Sequence, residues 1–382
     1  INQRDFSDAA TAAVFGMPVA EIEKAAQIVV FGSHLRHELP LLNARLRKAQ
    51  VDNGAKVHAI NPVDFDFTFG LASKQIVPPS QMAAALNDQD LRAAVAAANG
   101  NALILVGAIA ENHPQAAVLR RAAAEFAAAT GARLCRIPQG ANAVGLSQYG
   151  VLPAGKDVSA MLAAPRKAYV LYGIEPGLDF ADSATARKAL AGAQVVAFSQ
   201  YACTSTRDLA DLILPIGALP EIEATLTNLD GLQQRTSAGG KLPGEAREGW
   251  RVLRALGGEL ALAGFEFTEA VTVAASPAAT LQDEGQEVVA TAGIYRGDAV
   301  VRRAAALQAH PLNVGPQMAV NPADAARLGL VAGQMAKVGT DAGRATLQVV
   351  VDARVAAGAV WIESGHGATA PLGAARVTVV AA

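Results

Sequence analysis

The chain has 382 residues, 52% of them hydrophobic and 17% charged, with a net charge of −2. That length and apolar share point to two or three domains with large cores and exclude global disorder, and the lack of a long basic block excludes a nucleic-acid partner. Cys135 and Cys203 are the only cysteines; they cannot supply the four ligands of an iron–sulfur cluster or a structural zinc, and without secretory context they read as reduced thiols of a cytoplasmic protein.

The chain opens "INQRDFSDAATAAVFG", with neither an initiator Met nor a charged-then-apolar signal pattern, as expected of a fragment of a longer chain. "AAQIVVFG" (25–32) predicts a buried strand, "LPLLNARLRKAQVDNG" (39–54) a helix stopped by Gly54, and "AKVHAINP" (55–62) the next strand. This is a βαβ unit, hence parallel strands with a right-handed crossover. Residues 81–100 predict one helix, 101–110 a strand, 115–131 a helix and 132–138 a strand, giving a doubly wound, parallel-sheet (Rossmann-like) α/β domain. Residues 140–157, "GANAVGLSQYGVLPAGKD", read as a long loop.

A second α/β unit follows, with strands at 167–173, 193–200 and 212–215 and a helix at 180–192. A Gly-rich loop covers 235–249 and a helix 250–264. From about residue 286 the pattern changes to short β-type runs at 286–297, 334–340, 345–352 and 358–365. Among them lies one short helix at 321–329, with Asn321 at its cap, Pro322 at its first position and Gly329 at its stop. This predicts a small C-terminal β-barrel. The expected domains are 1–155, 156–285 and 286–382. No run reaches the roughly 18 apolar residues of a membrane helix; "TLQVVVDARVAAGAVWIE" reads as two strands around a turn.

"VVFGSHLRHELP" (29–40) runs a strand through a Gly-Ser turn into a helix N-terminus, a natural anion-binding geometry. Neither GxGxxG nor GK[ST] occurs, however. His34 and His37 are either a metal pair or polar residues of a first helical turn. His58, His113, His310 and His366 are scattered and read as structural, although His366 lies on a Gly-rich barrel loop where a ligand contact stays open. The glycine pair of "GANAVG" (140–145) either approaches a ligand or packs two domains. Glu221 and Glu223 are either an acid–base pair or solvent-facing carboxylates. "STRD" (205–208) has capping-box spacing, and "TLTNLDGLQQ" (225–234) predicts a hairpin with Gly231 at positive φ. Neither GxSxG nor HExxH is present.

Taken in order, "QRDFSD", "FGMPVAEIEKA", "VVFGSHLRHELPLLNARLRKAQVDNGAKVHAINP", "NAVGLSQYGVLP", "YVLYGIEPGLDF", "LILPIGALPEIEATLTNLDGLQQ" and "HPLNVG…VNPADAARLGLVAGQMAKV" resemble the molybdopterin oxidoreductase superfamily over nearly the whole chain. Within it they are most similar to the C-terminal part of the large iron–sulfur subunit family of bacterial NADH-quinone oxidoreductase, respiratory complex I. The family run E-x-x-G-T-F-x-N-x-E-G-R-x-Q is met by Glu221, Thr225, Asn228, Gly231 and Gln234, whereas Ala224, Leu226, Asp230 and Leu232 depart from it. The Ser, Cys or selenocysteine that ligates the metal in active members has no counterpart here. The resemblance therefore implies a scaffold without catalytic, cofactor-binding or metal residues. Ser33, His34, Arg36, Asn142, Thr225, Asn228 and His366 would be remnants of a cofactor cleft. It further implies no cofactor in this stretch, iron–sulfur clusters in an N-terminal region outside it, and the other peripheral-arm subunits as partners. The setting would be cytoplasmic, peripheral to the membrane through the complex and without direct membrane insertion. The alternatives are a fragment of an active molybdopterin enzyme, such as a formate dehydrogenase or nitrate reductase relative, a nucleotide-binding dehydrogenase, and an interaction module.

Overall fold

The computed structural model describes residues 5–152, 156–259, 284–340, 343–373 and 375–382. Five short strands form the first sheet: β1 (Gln27–Phe31), β2 (Lys56–Asn61), β3 (Ser73–Ile76), β4 (Ala102–Val106) and β5 (Arg133–Arg136). They lie in the order β3-β2-β1-β4-β5, all parallel. β4 is buried along its whole length and β1 beyond its first residue, as strands covered by helices on both faces must be. The helices Pro40–Asn53 and Ala116–Thr130 end on left-handed Gly54 and Gly131, a conformation glycine adopts without a Cβ clash, and the Gly54 N–H bonds the Ala49 carbonyl.

Several local expectations change. The helix expected over 81–100 is broken into Met82–Ala85 and Gln89–Ala96, because the Asp88 carboxylate accepts the Leu91 N–H and starts a new helix. The loop expected over 140–157 contains a helix, Ala143–Gln148. β3 is polar (SKQI) and carries no apolar signal; it is added at the sheet edge by pairing with β2.

The second unit is a three-stranded parallel sheet, β6 (Ala168–Tyr172), β7 (Gln194–Ser199) and β8 (Leu212–Pro215), in that order. A hairpin follows, β9 (Ala224–Thr227) against β10 (Gln233–Thr236), with Gly231 at φ +80. The "STRD" cap does not form: the helix begins one residue earlier, at Thr204, and the Ser205 hydroxyl instead accepts the Gly177 N–H. The helix expected over 250–264 is seen as Gly249–Glu259, and its remainder lies outside the described residues.

The C-terminal strands are β11 (Gln286–Ala292), β12 (Gln317–Val320), β13 (Met335–Gly339), β14 (Arg344–Val351), β15 (Ala359–Ser364) and β16 (Arg376–Ala381). They close into a barrel in the order β11-β15-β12-β14-β13-β16. β14 and β15 flank β12 and do not pair with each other, so the two-strand reading of that run is right in its strands but is not a hairpin. The helix Pro322–Leu328 is capped by Asn321 and stopped by left-handed Gly329. The core does not stop at the barrel. Val289, Ala319, Val355, Ala356 and Ala359 join the cluster that holds Ile28, Val30, Leu103 and Leu105 of the first sheet. Among the described residues no helix is long and apolar enough to cross a membrane.

Candidate functional site

The first sheet reverses its strand order between β1 and β4, and open α/β sheets bind ligands outside the carboxyl ends of strands at such a point. Two glycines shape it. Gly32, at φ +62, has no room for a side chain, since a Cβ would lie 2.7 Å from that of Ala110. Gly107 is pressed against Ser33, where a Cβ would lie 2.2 Å from the serine Cβ. Beside these turns a cavity of about 480 Å3 opens toward the barrel. His34, His37, Glu38, Asn112 and His113 line its α/β wall, and Val288, Thr291, Ile362, Glu363 and Ser364 its barrel wall.

The anion-binding geometry expected of the Gly-Ser turn is already satisfied from within. The buried Ser33 donates its N–H to Asn61 Oδ1 (2.8 Å) and its hydroxyl to Glu38 Oε2 (2.6 Å). Glu38 also accepts from the Ala108 N–H and from Gln139 Nε2. Part of the Glu38 side chain meets the cleft, but protein surrounds the carboxyl group. That burial raises its pKa above the ordinary 4.5, against the lowering effect of these hydrogen bonds.

The two histidines of this turn do not form a metal pair. The rings of His34 and His37 stack at 3.9 Å, and His34 stacks on Phe65 at 4.0 Å. Trp361 of β15 meets Phe65 edge-on. Burial lowers His34 to about 3 and His113 to about 4, and lowers His37 as well. All three are neutral at pH 7. Among the described residues no three His, Cys, Asp or Glu side chains are grouped to hold a metal ion.

On the barrel wall Glu363 is 7% exposed, and its Oε2 has no hydrogen-bond partner. His366 Nε2, 3.8 Å away, has none either. The other sequence candidates lie elsewhere. Arg36 pairs with Asp66 at 2.7 Å on the surface. Asn142 ties the helix Ala143–Gln148 to the hairpin, accepting the Thr227 N–H (2.8 Å) and donating to the Thr225 carbonyl. Asn228 Oδ1 accepts the N–H groups of Asp230 and Leu232 and so builds the hairpin turn. Glu221 accepts the Ala218 N–H, whereas Glu223 pairs with exposed Arg235, so the two glutamates share no proton path. Cys135 and Cys203 are free thiols, and burial pushes Cys135 up to about 12. The roles of Glu38, Asn112 and Glu363 are not readable in the sequence. Glu38 looks like one more polar helix residue there, and Glu363 reaches the cleft only through barrel closure.

The sequence matches the family described as molybdopterin oxidoreductase over residues 4–259 and the family described as "Molydopterin dinucleotide binding domain" over residues 291–380. Its relatives include the mitochondrial NADH-ubiquinone oxidoreductase 78 kDa subunit of Candida albicans, 27% identical over 246 residues, or 64% of this chain and 32% of that one. The same subunit of Neurospora crassa is 26% identical over 248 residues, 64% of this chain and 32% of that one. An NADH-quinone oxidoreductase subunit of Mycobacterium bovis is 26% identical, covering 56% of this chain and 30% of that one. The chain thus spans about a third of the length of these relatives. Acetylene hydratase from Pelobacter acetylenicus shares the fold, with a TM-score of 0.61 over 91% of this chain and 74% of that one, at 14% identity.

A dinucleotide cofactor carries a diphosphate, which calls for cations or free N–H donors. The described residues lining the cleft include the carboxylates of Glu38 and Glu363 and no Lys or Arg. The Ser33 hydroxyl and the Ala108 N–H are taken by Glu38. The residues present do not fit such a group.

Proposed function

This chain belongs to the molybdopterin oxidoreductase family, and on that premise we propose that it is a non-catalytic scaffold portion of the large iron–sulfur subunit of an NADH-quinone oxidoreductase. The named relatives support the parent complex, being subunits of such oxidoreductases. One observation carries the scaffold reading: the Glu38 carboxylate occupies the donors of the β1 and β4 turns, where a cofactor diphosphate would otherwise be held. In this reading the chain takes no cofactor itself, the iron–sulfur clusters belong to another part of the subunit, and the partners are other peripheral-arm subunits. The place of work is the cytoplasmic side of the membrane, reached through the complex.

The test is elemental and nucleotide analysis of the purified chain, with assays for NADH, formate and nitrate turnover. The expected outcome is no stoichiometric molybdenum or tungsten, no guanine nucleotide on denaturation, and no turnover. Stoichiometric metal with reductase activity would instead establish the alternative, a fragment of an active molybdopterin-dependent oxidoreductase.

A further inference from the structure

The cleft has the size of a small-molecule site and an unmet chemical demand. Glu363 Oε2 on the barrel wall and Asn112 Oδ1 on the α/β wall are buried acceptors without partners. One N–H of the Asn112 amide donates to Gln139 Oε1 at 3.0 Å, which fixes its Oδ1 as the acceptor left unmet. No Lys or Arg lines the cavity among the described residues. The nearby Arg296 carries a charge that Glu363 feels, but its guanidinium donates to the Gly365 carbonyl (2.9 Å) and Gln308 Oε1 (2.7 Å) and leaves Glu363 Oε2 without a hydrogen bond. Burial keeps His34, His37 and His113 neutral, and His366 Nε2 stands 3.8 Å from Glu363 Oε2, beyond hydrogen-bond distance. A buried carboxylate oxygen without a hydrogen-bond partner is costly, and a cation that donates hydrogen bonds relieves it.

We propose that this cleft binds a small organic cation with a planar N–H-donating head, of the guanidinium or amidinium class, paired to the Glu363 carboxylate. Three features select that class. The space of about 480 Å3 far exceeds a bare ion, and no three-ligand metal group exists among the described residues. A planar head can meet a carboxylate through two parallel N–H donors. Across the cleft from Glu363, on the α/β wall, His34 is stacked between His37 and Phe65, and the outer face of His37 offers an aromatic surface on which a planar cation stacks better than an ammonium does. The proposal rests on the reading of the cleft as free of a dinucleotide cofactor.

The test is isothermal titration of the whole chain with benzamidine, its neutral isostere benzamide, benzylamine and inorganic pyrophosphate. Molybdenum and guanine are assayed on the same sample, so that failure of the scaffold reading is seen separately. The expected result is saturable 1:1 binding of benzamidine, at least tenfold weaker binding of benzamide and benzylamine, and none of pyrophosphate. Glu363→Gln should weaken benzamidine at least tenfold. Ala290→Phe, which narrows the cleft without touching a charge, should do the same and keeps the test open if Glu363→Gln fails to fold. Absence of saturable benzamidine binding, equal binding of benzamide, preference for pyrophosphate, or affinity unchanged in Ala290→Phe would each overturn the proposal.

Discussion

Glu38 shows how a single residue decides what the switch point can hold. Its carboxyl is enclosed, and burial raises its pKa above 4.5 despite donation from Ser33, Ala108 and Gln139. The pH dependence follows from that direction. Below 4.5 both folded and unfolded chains carry the proton. As pH rises through 4.5 the unfolded chain releases it first, and the native state loses relative stability until its own higher pKa is passed. Glu38→Gln should therefore stabilise the protein at pH 8, by on the order of 1 kcal/mol, with the gain vanishing below about pH 4.5. Urea denaturation at both pH values checks this, and equal gains at both would refute it. Little of this is legible in the sequence. "GSHLRHELP" does announce a turn and a helix start, which singles out Ser33 and His34. The partner that fills the turn is five residues on, and its burial is completed by Gly107 and Ala108 after β4, far along the chain. The Asp8–Arg120–Glu111–Arg136 ion network is equally hidden, because its members come from separate elements and meet only in the fold.

Elements with strong local signals form as read: β1, β2, β4 and β7 from apolar runs, and Pro40–Asn53, Ala116–Thr130 and Pro322–Leu328 from caps and glycine stops. Elements set by tertiary pairing, such as polar β3 and the short strand β12, leave no trace in periodicity. The β9–β10 hairpin lies between these cases. Its turn is readable from Asn228, Asp230 and Gly231, but its anchoring is not. The Leu229 carbonyl accepts the Phe15 N–H, and Asp230 Oδ1 accepts the Val19 N–H. Gly231 at φ +80 has Val14 so near that a Cβ would lie 2.9 Å from its Cγ1. Gly231→Val thus combines backbone strain with a clash and should cost roughly 1–3 kcal/mol. Glu223→Gln, which breaks only a surface pair with Arg235, should change stability by less than about 0.5 kcal/mol. Denaturation of both variants separates the cases. A neutral Gly231→Val with a clearly stabilising Glu223→Gln would return the hairpin to a catalytic role.

At the scale of the molecule the parallel α/β body and the closed barrel are both legible, from the change of periodicity near residue 286, but their mutual attachment is not. The first sheet and the barrel share one core cluster, and backbone bonds join Asp64 to Arg354 and Ala356 to Pro62. Ser80 adds two bonds to the Glu287 carboxylate. The β6–β8 sheet instead has its own small core around Leu171, Phe180, Leu190 and Val195. One tie to the barrel side is a charged clamp. Arg302 reaches Glu175 (2.9 Å) and Asp179 (2.8 Å), and Arg303 also pairs with Glu175. Glu175 and Arg302 are nearly inaccessible, at 3% and 5% side-chain exposure. Removing one partner of such a pair strands buried charge and should cost roughly 3 kcal/mol or more. Because the loss falls on a junction and not on the shared core, Arg302→Ala should act unevenly. Native-state hydrogen exchange should show β7 amides opening at lower free energy than those of β4 and β14, with the gap widening in the variant. If β4 and β14 lost as much protection as β7, the three sheets would form one cooperative unit, and the clamp would be part of a common core.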